Sequence, residues 1–172
     1  MIKKISCLYI LLITTNFVFS QSSDSIIIDT SLTHSERIFH DSISALNMQN
    51  ELFSSSRQAY NQGLELFNVQ NFDESIVSFT KAIFIDSSFS KAYFYRGKCY
   101  EFSNNTLATL DYQIAFSLDS SDFTPLYGIA RIQSINDIHK AIETYNFIIA
   151  LSDQQSKAYY ELGVLYYINK DI

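Results

Sequence analysis

The 172-residue chain is rich in aromatic residues and acidic, with 18 Asp+Glu against 12 Lys+Arg and a formal net charge of −6. This balance argues against a nucleic-acid partner, because such binding depends on basic side chains that neutralise phosphates. With four Gly, one Pro and long stretches of helical apolar spacing, the sequence predicts an all-α protein.

The N-terminal segment, residues 1–20, is typical of an export signal. Lys3 and Lys4 precede an apolar run from Leu8 to Phe19, which is too short and too interrupted for a transmembrane helix. We therefore expect a signal peptide over 1–20 and an exported protein, in the periplasm or cell envelope. Its membrane contact would be limited to this segment before cleavage. The mature chain would keep ten basic and 18 acidic side chains, a net charge of −8.

Two segments precede the main body of the sequence. Residues 21–34 are rich in Ser and Asp and predict a flexible lead. Apolar residues at three-to-four spacing between Ile38 and Phe53 predict a helix over 35–54. We expect this helix to cover the exposed end of the first repeat, as terminal units of helical solenoids do.

From position 56 onward the sequence is built of similar units that follow one another at a nearly constant spacing. A large aromatic residue recurs at the same place in successive units, at Phe79, Tyr112 and Tyr145. A small residue recurs in the segment before each aromatic and once more near the end, at Gly63, Gly97, Ala130 and Gly163. A small residue on one helix lets a second helix approach, and the aromatic side chain fills the space between the two.

These units resemble tetratricopeptide repeats, which are antiparallel helix pairs of about 34 residues. The resemblance implies a right-handed α-solenoid of antiparallel helix pairs. It extends over 56–172, with units at 56–89, 90–122 and 123–155 and an incomplete unit at 156–172. The second and third units are one residue short in the turn between their helices, and serine replaces the proline that usually follows the closing Asp.

Turn and cap signals support this division. Asp-Ser-Ser closes the first two units at residues 86–88 and 119–121, and it suits a turn followed by a capped helix. Thr124 followed by Pro125 predicts a helix start with Thr as the cap and Pro in the first turn.

The resemblance also implies a binding surface, because first helices of such repeats line a concave groove that contacts a peptide. Aligning the units selects one aromatic row and flanking basic residues: Arg57, Tyr60, Lys91, Phe94, Lys98, Tyr127, Arg131, Lys157 and Tyr160. Five of the ten basic residues of the mature chain are in this set. We expect a protein or peptide segment with acidic and apolar residues as the ligand. Tyr60 and Leu64 replace the Lys and Asn by which some members hold chaperone tails, which disfavours that ligand.

Catalytic and cofactor chemistry is not indicated. None of the three histidines has metal-ligand spacing, the four glycines are dispersed, and Cys99 is expected to be a small core residue. We therefore predict a non-catalytic protein with no cofactor and no bound metal.

Three functional interpretations remain open. The first is an exported scaffold of a bacterial cell envelope that docks a protein partner. The second is the extracytoplasmic front of a larger signalling or peptidoglycan-anchored protein, and the third is an accessory subunit of an enzyme. The final helix, from Tyr159, carries apolar residues on nearly every face and is predicted to be buried, so we expect the natural chain to continue past Ile172 with a second helix.

Overall fold

The computed structural model describes residues 34–152 and 155–170. The predicted signal peptide, residues 1–20, lies outside these ranges, as does the predicted lead except for His34. The chain separates into two compact units, 1–40 and 41–172. In the first unit the described residues, 34–40, begin helix α1. Apart from this start of α1, the helices and sites described here belong to the second unit.

The described residues form helices joined by short connections, and no strand occurs among them. The helices are α1 (His34–Asn68), α2 (Phe72–Ile85), α3 (Ser90–Tyr100), α4 (Asn105–Leu118), α5 (Thr124–Asn136), α6 (Ile138–Leu151) and α7 (Ser156–Lys170). From α2 to α7 each helix packs against the next one in sequence. The prediction of an all-α solenoid of paired helices is confirmed.

Helix α1 differs from the predicted arrangement. A separate covering helix was expected over 35–54, but one 35-residue helix runs without a break into the first repeat. Ser54, Ser55 and Ser56 do not interrupt it, because a helical serine can return its hydroxyl to the preceding turn, as Ser55 does to the carbonyl of Glu51 at 2.8 Å. Residues 41–55 are exposed, so this stretch of α1 is not buried against the first repeat, and only its end, at Leu52 and Phe53, borders a hollow beside Ile85 of α2.

Small residues and aromatic rings hold the helix pairs together, as predicted. A Cβ atom built on Gly63 would lie 2.6 Å from the ring of Phe79, and one on Gly97 would lie 3.0 Å from the ring of Tyr112. Both rings are fully buried. Gly128, which the repeat pattern did not predict as a close contact, is another such site, because its Cβ would lie 2.5 Å from the opposite edge of Tyr112. Tyr112 therefore joins the second unit to the third as well as α3 to α4.

Serine hydroxyls make a second contact between the helices of a pair. Ser56 donates to the carbonyl of Ala82 at 3.0 Å, and Ser90 in the next unit donates to the carbonyl of Ala115 at 2.8 Å. In the first unit Ser75 also donates in the other direction, from α2 to the carbonyl of Gly63 at 2.8 Å. These bonds satisfy buried backbone acceptors and fix how far one helix can slide along the other.

The Asp-Ser-Ser turns form as predicted, but they do not cap the following helices. The hydroxyls of Ser88 and Ser121 each donate to the carboxylate of the Asp two residues earlier, at 2.6 Å. The N-cap positions of α3 and α5 are Phe89 and Phe123, and neither offers a side-chain acceptor. Thr124 is therefore the first helical residue rather than the cap, while Pro125 lies in the first turn as expected.

A buried ion pair joins α3 to α4, and a hydrogen bond extends it to α2. The sequence did not predict this pair. Arg96 on α3 binds both carboxylate oxygens of Asp111 on α4 at 2.8 Å, and its remaining terminal nitrogen donates to Thr80 on α2 at 3.1 Å. The Asp111 side chain is 3% exposed. The hydrogen bond to Asp111 raises the pKa of Arg96, which keeps the pair charged.

Cys99 is a core residue, as predicted. It is buried, and burial raises the pKa of its thiol. A thiol that remains protonated is a poor nucleophile, which agrees with a packing role.

Candidate functional site: the concave groove

The structure brings five of the nine predicted ligand contacts to one groove formed by α3, α5 and α7. We call it the central groove: a cavity of about 240 Å³ whose walls include Phe94, Lys98, Tyr127, Arg131 and Lys157. These five residues lie together because they take matching places on the first helices of successive repeats. A partner segment lying across the three helices would contact aromatic rings and cationic groups together.

Two lysines of the central groove have no ion-pair partner among the described residues. The Lys98 ammonium lies over aromatic rings instead, with Nζ 4.9 Å from the centre of Phe67 and 5.5 Å from that of Tyr95. The Lys157 ammonium lies 4.9 Å from the centre of Tyr127. Aromatic faces stabilise a cation without neutralising it, so both ammonium groups can still bind a carboxylate.

Arg131 is already paired within the protein. Its guanidinium binds both oxygens of the Glu101 carboxylate, and the Tyr112 hydroxyl donates to the same carboxylate. Burial opposes the charge on Arg131, but the hydrogen bond and charge of Glu101 outweigh it and raise the pKa of the guanidinium. Burial, and then Glu101, raise the pKa of Tyr112, so that its hydroxyl stays a donor. Arg131 therefore supports the groove wall, a role that depends on Glu101, a partner that the sequence did not predict.

Three predicted contacts lie at a second hollow, formed by α1, α3 and the connection before α3. Arg57, Tyr60 and Lys91 line it together with Phe53 and Phe89, and its volume is about 460 Å³. Tyr60 is partly buried against Phe89, with ring centres 4.8 Å apart, and burial raises the pKa of Tyr60 to about 12. The structure thus divides the predicted set between two places.

The aromatic row packs within the repeats as well as facing the groove. In each complete unit its ring lies beside the aromatic of the second helix, at centre distances of 5.7, 5.7 and 6.1 Å for Tyr60–Phe79, Phe94–Tyr112 and Tyr127–Tyr145. Tyr160, the last member of the row, is 71% exposed and lies in neither hollow. Recurrence of an aromatic residue at this place in the complete units therefore follows from packing alone.

In residues 34–152 and 155–170, no group of three or more His, Cys, Asp and Glu side chains is placed to hold a metal ion. None of the helices in these ranges is long and apolar enough to cross a membrane.

Comparison of the sequence with family models and with curated proteins gave no match. The structure, in contrast, is similar to many solved ones. The first tetratricopeptide domain of Spaghetti (RPAP3), solved with the HSP90 peptide SRMEEVD, has a TM-score of 0.60 and 18% identity over 68% of this chain and 94% of that one. The NMR structure of the first such domain of human RPAP3 has a TM-score of 0.61 and 17% identity, over 69% and 95% of the two chains.

A bacterial structure is similar to the same extent. The Yersinia enterocolitica type III secretion chaperone SycD, solved with a peptide of the translocator YopD, has a TM-score of 0.60 and 12% identity, over 66% of this chain and 93% of that one. At such low identities the similarity shows the fold alone. The chain has the fold of a tetratricopeptide repeat domain, with a groove along its first helices.

Proposed function

We propose that this protein is a non-catalytic scaffold that binds a protein or peptide segment in the central groove. The observation that carries the proposal is the pair of lysines, Lys98 and Lys157, which line one groove and have no carboxylate partner among the described residues. Two similar folds, the Spaghetti domain and SycD, were solved with peptides, which supports a peptide ligand here.

The chemistry of the groove favours a segment with acidic and apolar residues. Phe94 and Tyr127 supply apolar surface, while Lys98 and Lys157 supply hydrogen-bond donors with a positive charge. Lys98 is half-buried, so an ion pair formed there is less screened by solvent than one on an open surface. Glu161 also lines the groove and Glu101 neutralises Arg131, so Lys98 and Lys157 leave a local net charge of +1, which would still guide an acidic segment there in a chain with a net charge of −6.

The Lys98→Glu, Lys157→Glu variant should bind acidic peptides roughly tenfold to a hundredfold more weakly at low salt, because two attractions become repulsions. The probe is a set of fluorescent octapeptides that combine Glu with Leu or Phe, measured by anisotropy against matched peptides with Gln in place of Glu. The wild-type protein should prefer the acidic set, and added salt should weaken that preference.

The matched control is Lys81→Glu, Lys170→Glu, which changes the net charge equally at exposed sites on α2 and α7 that lie outside the central groove and have no ion-pair partner among the described residues. It should bind like the wild type. Equal binding of the acidic and amide peptides, or unchanged binding by the groove variant, would contradict the proposal. Arg131 is left intact because its reversal would place a second carboxylate against Glu101.

We further propose that the scaffold acts outside the cytoplasm, in a bacterial periplasm or cell envelope. The support is the sequence of residues 1–20, with Lys3 and Lys4 before a short apolar run. Expressed from the full sequence in a bacterium, the protein should be recovered in the envelope fraction with a mass that corresponds to a start at Gln21. Leu11→Arg should block this processing, and an uncleaved wild-type protein in the cytoplasm would contradict export.

A further inference from the structure

Glu161 on α7 lines the central groove beside its lysines, and it was not among the predicted contacts. The residue is half-buried, and its carboxylate has no ion pair or hydrogen bond among the described residues. A carboxylate that loses water on burial without gaining a hydrogen-bond donor costs free energy. The groove therefore offers a ligand one unpaired acceptor in addition to its two unpaired ammonium groups.

The cations that line the groove do not neutralise Glu161. Lys157 is one turn earlier on α7, but its ammonium lies over an aromatic ring, and lysine four residues before glutamate is the less favourable order for a helical ion pair. Arg131 binds both oxygens of Glu101 instead, and the Lys98 ammonium lies over aromatic rings. A cation of the ligand would therefore reach Glu161 without displacing an existing ion pair.

The repeat determines which neighbours Glu161 has. Glu161 takes the place that Tyr95 has on α3 and Gly128 has on α5, at successive spacings of 33 residues. Tyr95 stacks on Phe79 with ring centres 5.8 Å apart, and Gly128 lies against Tyr112. In both cases the contact is the large aromatic residue of the preceding unit. This face of a first helix thus meets the unit before it, so its surroundings on α7 are set by the described chain.

The corresponding aromatic residue for α7 is Tyr145 on α6. Tyr145 is 5% exposed and lines the central groove together with Glu161. Burial, and then the negative charge of Glu161, raise the pKa of Tyr145 to about 12, which agrees with a carboxylate close to that ring. A carboxylate beside an aromatic ring in a partly enclosed groove suits an ammonium or guanidinium group, because both the charge and the ring attract a cation.

We propose that Glu161 binds the side chain of a lysine or arginine of the ligand, so that the segment in the central groove carries a basic residue besides its acidic and apolar ones. This inference rests on the proposed central-groove function and narrows its ligand. Lys157 and Glu161 lie one helical turn apart on α7, about 6 Å along the axis. Residues two apart in an extended segment are separated by a similar distance and point to the same side, so the basic residue should lie about two positions from the acidic residue that binds Lys157.

The probe is an acidic octapeptide of Glu with Leu or Phe, in which each position in turn is changed to arginine or to citrulline, its uncharged isostere. At one or two positions the wild-type protein should bind the arginine peptide about fivefold to tenfold more tightly than the citrulline peptide, because a charge-assisted hydrogen bond forms with Glu161. Glu161→Gln should bind the two peptides equally, with an unchanged melting temperature. The matched control, Glu143→Gln at an exposed site on α6 outside the groove, should keep the wild-type difference.

The two proposals fail in different ways. Loss of the preference for acidic over amide octapeptides would contradict the central groove itself, whereas the preference for arginine over citrulline tests Glu161. Equal binding of arginine and citrulline at every position, by a protein that does prefer acidic peptides, would overturn the role of Glu161 alone. So would an arginine preference that survives Glu161→Gln. A Glu161→Gln variant that binds every acidic peptide more tightly, with or without arginine, would also overturn it, because Glu161 would then act only by repulsion.

Discussion

Gly128→Leu is expected to lower the free energy of unfolding by about 3 kcal/mol or more, and the melting temperature by roughly 10 °C. Gly128 lies against the ring of Tyr112, where even a Cβ atom would come within 2.5 Å. The ring has little room to move, because Gly97 on α3 lies against its opposite edge. Either α5 separates from α4 or the ring leaves its site, and both expose the core between the second and third units. Urea unfolding followed by circular dichroism measures the change.

Two further variants show whether the clash with Tyr112 is the cause. Tyr112→Ala should itself be destabilising by about 3–5 kcal/mol, but adding Gly128→Leu to it should cost much less than in the wild type, because the clash is gone. Gly163→Leu should not destabilise, since its surroundings are open. Equal losses for Gly128→Leu with and without Tyr112 would show that the ring does not set the close approach of α4 and α5.

Asp111→Ala is expected to cost about 3–5 kcal/mol, because it leaves the charge of Arg96 buried without its partner. The Arg96 side chain is 17% exposed and donates both of its strong hydrogen bonds to the Asp111 carboxylate. Thr80 and the rings of Tyr93 and Tyr100 cannot replace a negative charge. Chemical unfolding at constant pH measures the loss.

The matched control replaces the whole pair. Arg96→Met with Asp111→Leu removes both charges and keeps apolar volume, so it should be far less destabilising than Asp111→Ala alone. If the double variant loses as much free energy of unfolding as Asp111→Ala does, an unpaired charge is not the main cause of the loss. The ion pair itself would then stabilise the fold. If Asp111→Ala has little effect, solvent must reach Arg96 more freely than its burial implies.

The recurrence of Phe79, Tyr112 and Tyr145 is sufficient to predict the helix pairs, because a repeated unit has to bury the same positions each time. The same register identified Gly63 and Gly97 as close-approach sites. It did not identify Gly128, which packs against the preceding unit. Aligning the units identifies positions that pack inside each unit, but it does not show which positions pack against a neighbouring unit.

The predicted binding residues could be located on successive first helices, but their partners could not. Arg131 looks like a free cation in the sequence, and only the folded chain shows that the distant Glu101 is bound to it. For Lys98 and Lys157 the fold shows the opposite, aromatic rings and no carboxylate partner among the described residues. Ion pairing depends on distances between helices, which helical spacing alone does not determine.

Local sequence patterns were enough to predict the helical class, the repeat period, and the packing of a small residue against a large one within a unit. These features follow from local propensity and from which face of each helix is apolar. Two other features emerged only from the folded structure: the single long helix α1, and the division of the predicted contacts between two hollows. Each depends on whether a neighbouring element reaches a given side chain. That is a property of three-dimensional packing: Arg131 takes the same place in its unit as Lys98, and of these two only Arg131 has a carboxylate partner among the described residues.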